Sequence, residues 1–251
     1  MICNLLLGSV VLLVAGAGVS RTDHQAEARA ILARAIRAHG GETALNKTKA
    51  GRYRVKGTLY EGDKKVALNW EWTFQGMDKM RSVAFDQDGK KASETEVVNG
   101  KKGWVKEAGQ PTEELSNDQV ASQLDTIYTN WATMLVPLKA EGFRLKPLKE
   151  ATVHGRKAVG ILIAHDKQRP LKFYFDKESG LLVKLERPFN NVEVGKVVTE
   201  ETLYSDFREV QGTKQPFKMV TFWDGVKVGD LSATEIRLYE MPLDEKLFSK
   251  P

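Results

Sequence analysis

Two periodicities share the chain. Residues 22–39 place Ala28, Ile31, Leu32, Ala35 and Ile36 at helical spacing, which predicts an amphipathic helix. Thr22 or Asp23 offers a side-chain oxygen to cap its start. Gly40-Gly41 ends it, because glycine enters the left-handed conformation that closes a helix. Glu42 to Asn46 adds a short turn that buries Ala44 and Leu45. The period then drops to two. Tyr53, Val55, Gly57 and Leu59 alternate with Arg52, Arg54, Lys56 and Thr58, and Glu61-Gly62-Asp63 reads as a hairpin turn. In the next strand Val66, Leu68, Trp70, Trp72 and Phe74 form one large apolar face opposite Ala67, Asn69, Glu71, Thr73 and Gln75. Such alternation belongs to an antiparallel sheet with one covered and one wet face. Further strands are expected at 80–85, 95–98 and 103–106.

Residues 116–135 return to the helical period, with Val120, Leu124, Ile127, Tyr128, Trp131 and Leu135 in one stripe. Ser116 or Asn117 caps this helix and Pro137 ends it. Strands resume at 143–148, 157–165, 171–176, 181–186, 197–208, 215–223 and 231–239. Lys177-Glu178-Ser179-Gly180 closes one hairpin with glycine at the left-handed position. The order of helix, strands, helix, strands, with no linker or repeat, predicts a single α+β domain over 21–251. Its sheet has about eleven antiparallel strands, which must close or be covered, and the mid-chain helix suits the concave face of a curved sheet.

The first twenty residues stand apart. Met1 to Ser20 carries no charge, and 5–17 is almost wholly apolar and followed by small residues. This is the pattern of a secretory signal peptide over 1–20, lacking only the usual basic start. Cleavage after Ala17 or Ser20 and retention as a membrane anchor both fit, since about 20 apolar residues cross a bilayer.

Composition narrows the chemistry. The single cysteine, Cys3, precedes the apolar run, so disulfides, cysteine-based zinc sites, iron–sulfur clusters and thiol catalysis have no residues to work with. The four histidines, His24, His39, His154 and His165, form no metal motif, and His154 in a turn and His165 at a strand end read as solvent-exposed loop residues. No phosphate loop or nucleophile elbow is present. Glu71, Asp86, Glu193, Glu200, Glu201 and Asp206 fall on polar faces or in turns, where carboxylates are solvated, and no catalytic pair stands out. Asp176 to Gly180 lacks the ligand series of a calcium loop. No metal, cofactor or catalytic residue is therefore assigned. The charge of +5 comes from 38 basic and 33 acidic residues scattered along the chain, which argues against nucleic acid and allows weak attraction to anionic membrane surfaces.

Several stretches carry a resemblance: IRAHGGETALNKTKAGRYRVKGTL, LKFYFDKESGLLVKLE, TLYSDFREVQGTKQPFKMVTFWDG and ATEIRLYEMPLDEKLF. Together they resemble the LolA/LolB-like superfamily, the outer-membrane lipoprotein-sorting proteins and their periplasmic relatives. The resemblance implies an incomplete, strongly curved antiparallel barrel with helices plugging its open side. It also implies a periplasmic or envelope location and a space between sheet and helices that holds lipid or lipoprotein acyl chains. Some relatives serve instead as envelope-stress sensors. The residues offer a matching surface. Trp70, Trp72, Phe74, Trp131, Phe173, Phe175, Val220 and Phe222 are candidate lining for an apolar ligand, or else plain core against the mid-chain helix. Three roles follow: a non-enzymatic binder of lipid or acylated ligand, an interaction or sensor domain without ligand, and a hydrolase using cavity carboxylates. A dry void, a filled core or convergent buried carboxylates would respectively mark them.

Overall fold

The computed structural model describes residues 21–86, 88–166, 168–192 and 195–251. The expected leader over 1–20, with Cys3, and the carboxylate of Glu193 lie outside the described residues. Among the described residues no helix is long and apolar enough to cross a membrane.

The chain opens with α1 (Arg21–Ala38), whose Ala28, Leu32, Ala35 and Ile36 are buried. The helix ends where expected: Gly40 and Gly41 both have positive φ, and the Gly41 amide donates to the Ile36 carbonyl at 2.9 Å. After α2 (Glu42–Lys47) come β1 (Ala50–Glu61), β2 (Lys64–Gln75), β3 (Lys79–Phe85), β4 (Ala92–Asn99), β5 (Lys102–Glu107) and the two-residue β6 (Glu113–Glu114). Then α3 (Asn117–Ala132) leads through a 3-10 turn to the second set of strands. These are β7 (Arg144–Val153), β8 (Arg156–Ala164), β9 (Leu171–Asp176), β10 (Leu182–Asn191), β11 (Lys196–Val210), β12 (Thr213–Trp223) and β13 (Val226–Tyr239). The expected α+β class and single curved sheet are observed. The strands number thirteen rather than about eleven, and the two-residue β6 is the one with no counterpart among the expected segments.

All pairings are antiparallel, in the order β6-β5-β4-β3-β2-β1-β13-β12-β11-β10-β9-β8-β7, and the sheet does not close. The first and last strands, β1 and β13, meet at its centre. Two meanders therefore spread outward from that join. The chain leaves at one edge, β6, crosses by way of α3, and re-enters at the other edge, β7. The edges are blunted against further pairing. β6 has two residues, and β7 carries Pro147, Lys146 and Lys149, while the Gln25 side chain of α1 accepts the Leu145 amide at 2.9 Å.

Ser116 caps α3 through a capping box: its hydroxyl accepts from the Gln119 amide and the Gln119 side chain accepts from the Ser116 amide. The helix ends at Ala132, before Pro137, which sits in the following 3-10 turn. Its apolar stripe divides. Val120 and Ile127 pack with Met80 of β3, Val98 of β4 and Leu115 just before the helix. Tyr128 and Ala132 join α1 and the β7–β10 arm in the largest core cluster. The other face of the sheet is not uniformly wet. Glu71 is buried there with Arg54 at 2.7 Å, and the C-terminal segment lies over β3 and β4 with Phe248 fully buried. Val66 departs from its expected burial and is 40% exposed near the β1–β2 turn.

Gly40 combines a left-handed conformation with a close backbone approach. Gly40 has φ +117, and a Cβ there would lie 2.2 Å from the Gly212 carbonyl oxygen. Gly62 has φ +61 with open space around it. Gly40→Ala is therefore expected to destabilise by about 2–4 kcal/mol and Gly62→Ala by only about 1 kcal/mol. Equilibrium urea unfolding measures both, and equal losses would contradict the close-approach argument.

Candidate functional site

The sheet's concave face and α3 stand apart over part of the helix. Between them lies a cavity of about 430 Å³, within the size range of small-molecule sites. Strand alternation builds its walls. Tyr53 of β1, Trp70, Trp72 and Phe74 of β2, and Met80 of β3 form an aromatic and thioether surface. Trp70 and Trp72 meet edge to face at 5.7 Å, and Tyr53 and Phe74 at 6.3 Å. Facing them across the helix are Gln123, Thr126, Thr129, Asn130 and Thr133, the polar stripe between the two apolar flanks of α3. The cavity is thus aromatic on the sheet side and hydrogen-bonding on the helix side.

Of the eight residues expected to line a cavity, Trp70, Trp72 and Phe74 do so. The structure places the other five elsewhere. Trp131 packs between Tyr128 and Phe143, at 6.3 and 6.2 Å, against the largest core cluster. Phe173 and Phe175 are fully buried in that cluster, 6.4 Å apart. Val220 and Phe222 alternate with the lining residues Met219 and Thr221, so they point to the opposite face of β12. The physical reason is the same in each case. An apolar strand face packs equally well in a filled arm, on the outer face or in a hollow, and only the path of α3 distinguishes these.

A buried ion pair holds the helix to the sheet. Arg187 of β10 donates from Nε to Glu200 Oε1 at 2.7 Å. Its Nη1 donates to the Asp125 carbonyl and to Thr129 Oγ1, both at 2.9 Å, and its Nη2 to Thr126 Oγ1 at 3.2 Å. Trp223 Nε1 donates to the other Glu200 oxygen at 3.2 Å. Glu200 was expected on a solvated face. It lies inside because β11 turns it, with Thr202 and Tyr204, toward the cavity. His39, at the end of the expected helix, is likewise buried. Its Nδ1 meets the Ala35 carbonyl at 2.8 Å and its Nε2 the Leu182 amide at 3.3 Å, a donor and acceptor pair that fits the neutral ring. Burial holds its pKa below the usual histidine value. Of the remaining histidines, His154 is exposed in the β7–β8 turn.

Two carboxylates went unnoticed from the sequence. Glu94 and Glu96 of β4 both line the cavity. Period two in Ser93-Glu94-Thr95-Glu96-Val97-Val98 puts Glu94 and Glu96 on the face of Val98, which was the available signal. Burial, reinforced by the neighbouring charge of Glu94, pushes Glu96 up to about 7. Burial first, and Glu107 second, raises Glu94 as well. Glu96 Oε1 is sealed from solvent and has no hydrogen-bond partner. Among the described residues, no group of three or more His, Cys, Asp or Glu side chains could hold a metal ion.

No family model matches the chain, and no curated protein matches it. Solved structures do. A LolA superfamily protein from Nitrosomonas europaea superposes with a TM-score of 0.57 at 12% identity, covering 89% of this chain and 97% of that one. A domain grouped with the outer membrane lipoprotein-sorting proteins, from Vibrio parahaemolyticus, gives 0.58 at 10% identity over 89% and 97%. A DUF1329 family protein from Desulfovibrio piger gives 0.57 at 12% identity over 88% and 97%. The chain has the LolA-like fold.

Two stability predictions follow from the site. A raised carboxylate favours the fold while protonated, so Glu96 costs stability as pH rises from its ordinary value of 4.5 through about 7. Glu96→Gln should stabilise by about 1–3 kcal/mol at about pH 8 and by nothing measurable below about pH 4.5. Thermal unfolding across that range checks it, and a pH-independent difference would contradict it. Arg187→Leu strands the Glu200 charge and removes three ties to α3, so a loss of about 3–5 kcal/mol is expected in chemical denaturation.

Proposed function

We propose that this LolA-like chain is an exported, non-enzymatic binding protein that holds a lipid or the acyl chains of a lipoprotein in the cavity beneath α3. Its place would be the periplasm or cell envelope, reached through the N-terminal leader. The observation that carries this reading is the hollow itself: about 430 Å³ bounded on one side by Trp70, Trp72 and Phe74, where a filled core would leave no space. A chain with a dozen buried methylenes would gain on the order of 10 kcal/mol from leaving water, before the cost of ordering it. No cofactor or energy source is required, since transfer to an acceptor can run on differential affinity.

One observation favours a second reading, acid–base catalysis in the cavity, because Glu96 sits at about 7. Carboxylates that divide acid and base roles are pushed apart by their surroundings. Here burial raises Glu94 and Glu96 in the same direction rather than pushing them apart. The binding reading accounts for more of the lining.

The test is native mass spectrometry of the protein purified from its own cell envelope, with uptake of a fluorescent fatty acid measured alongside. Co-purified lipid and saturable uptake are expected. Absence of both would refute the binding role and leave an interaction domain without ligand. Trp72→Asp should lower uptake at least tenfold with the circular dichroism spectrum retained. If the variant unfolds instead, Trp72 serves as core packing.

A further inference from the structure

The cavity contains one polar feature that the fold itself does not use. Carboxylates elsewhere in the interior have cations: Glu200 meets Arg187 at 2.7 Å, Glu71 meets Arg54 at 2.7 Å, Asp176 meets Arg156 at 2.8 Å and Asp125 meets Arg169 at 3.0 Å. Glu94 and Glu96 have none among the described residues. The groups around Glu96 can be read from the register and the lining. Ser82 of β3 and Val105 of β5 are its strand partners, Glu94 stands two residues away, and Gln123 and Thr126 of α3 line the same cavity. None carries a positive charge. The cavity's one deeply buried cation, Arg187, is already satisfied by Glu200, Asp125, Thr126 and Thr129. Among the described residues, the cavity therefore holds an unanswered acceptor and no free buried cation. A buried carboxylate oxygen without a partner is costly unless something supplies a donor.

Building on the lipid-binding reading above, we propose that the cavity selects single-chain amphiphiles bearing a primary ammonium group, the ammonium seated on Glu96 and Glu94 and the chain laid along Trp70, Trp72 and Phe74. An alkyl carboxylate would place a further acidic group beside Glu94 and Glu96, and an alkyl alcohol would answer the acceptor without neutralising it. The ammonium does both. Its high affinity for an ionised Glu96 also means that binding near neutral pH displaces a proton from that side chain.

Isothermal titration calorimetry on the folded chain, below each amphiphile's micelle concentration, tests this with dodecylamine, dodecanol and dodecanoate. Dodecylamine is expected to bind at least tenfold tighter than dodecanoate at about pH 7. Its heat should vary with the ionisation enthalpy of the buffer, as proton release requires. Glu96→Gln should weaken dodecylamine at least tenfold and leave dodecanol within about twofold, with Glu94→Gln weakening the amine less. Dodecanoate binding as tightly as the amine, or amine affinity unchanged in Glu96→Gln, overturns the proposal while the lipid-binding reading stands. No binding of any of the three overturns both. Lysophosphatidylethanolamine against lysophosphatidylglycerol then separates the sources: discrimination between them assigns the ammonium to a lipid headgroup, and binding of dodecylamine alone assigns it to a free amine.

Discussion

The fold depends on joining two arms that have no edge in common. The two meanders touch only at β1 and β13, and their far edges, β6 and β7, are bridged by α3. Arg187 fixes that bridge. From β10 it reaches a carboxylate on β11, a carbonyl and two hydroxyls on α3, with its own side chain buried. A buried guanidinium tolerates few arrangements, since each lost partner leaves a desolvated charge. The pair therefore sets the distance and rotation of α3 relative to the sheet more sharply than apolar packing, which is non-directional, could do.

The cavity is a consequence of that rotation. With its two apolar flanks committed to separate arms, α3 turns a polar stripe of threonine, asparagine and glutamine toward the sheet. Short polar side chains cannot interdigitate with tryptophan as leucines would, so the space between them stays open. The same geometry accounts for the site's mixed character. Aromatic rings supply a surface for an apolar chain, and the threonines already engaged by Arg187 keep the helix side ordered. Glu94 and Glu96 remain as the unused polar pair, on a strand whose inner face is otherwise filled by Val98.

Much of this was legible in the residues. Gly40-Gly41 ended α1, Ser116 capped α3, and Gly180 closed a hairpin in which Asp176 Oδ1 accepts from the Ser179 amide at 2.7 Å. These are local requirements of backbone geometry, readable wherever glycine or a capping hydroxyl stands. The alternation in β2 likewise identified Trp70, Trp72 and Phe74 as one face. Val220 and Phe222 show the limit of the same logic. Alternation sorts residues into two sets without saying which set is inside, and on β12 the inner set proved to contain Met219 and Thr221. Phe173 and Phe175 were correctly apolar and inward, in an arm covered by α1 and the end of α3.

By itself, then, the sequence determined the elements, their antiparallel character, and the single curved sheet with a covering helix, because periodicity, caps and turns act over a few residues. The tertiary structure decided what lies in the concave face. The pairing of Arg187 with Glu200, the burial of His39, and the meeting of β4's carboxylates with β2's tryptophans all join residues far apart in the chain. Whether an apolar face becomes core or cavity wall depends on how closely a distant helix approaches it, and no local pattern encodes that distance.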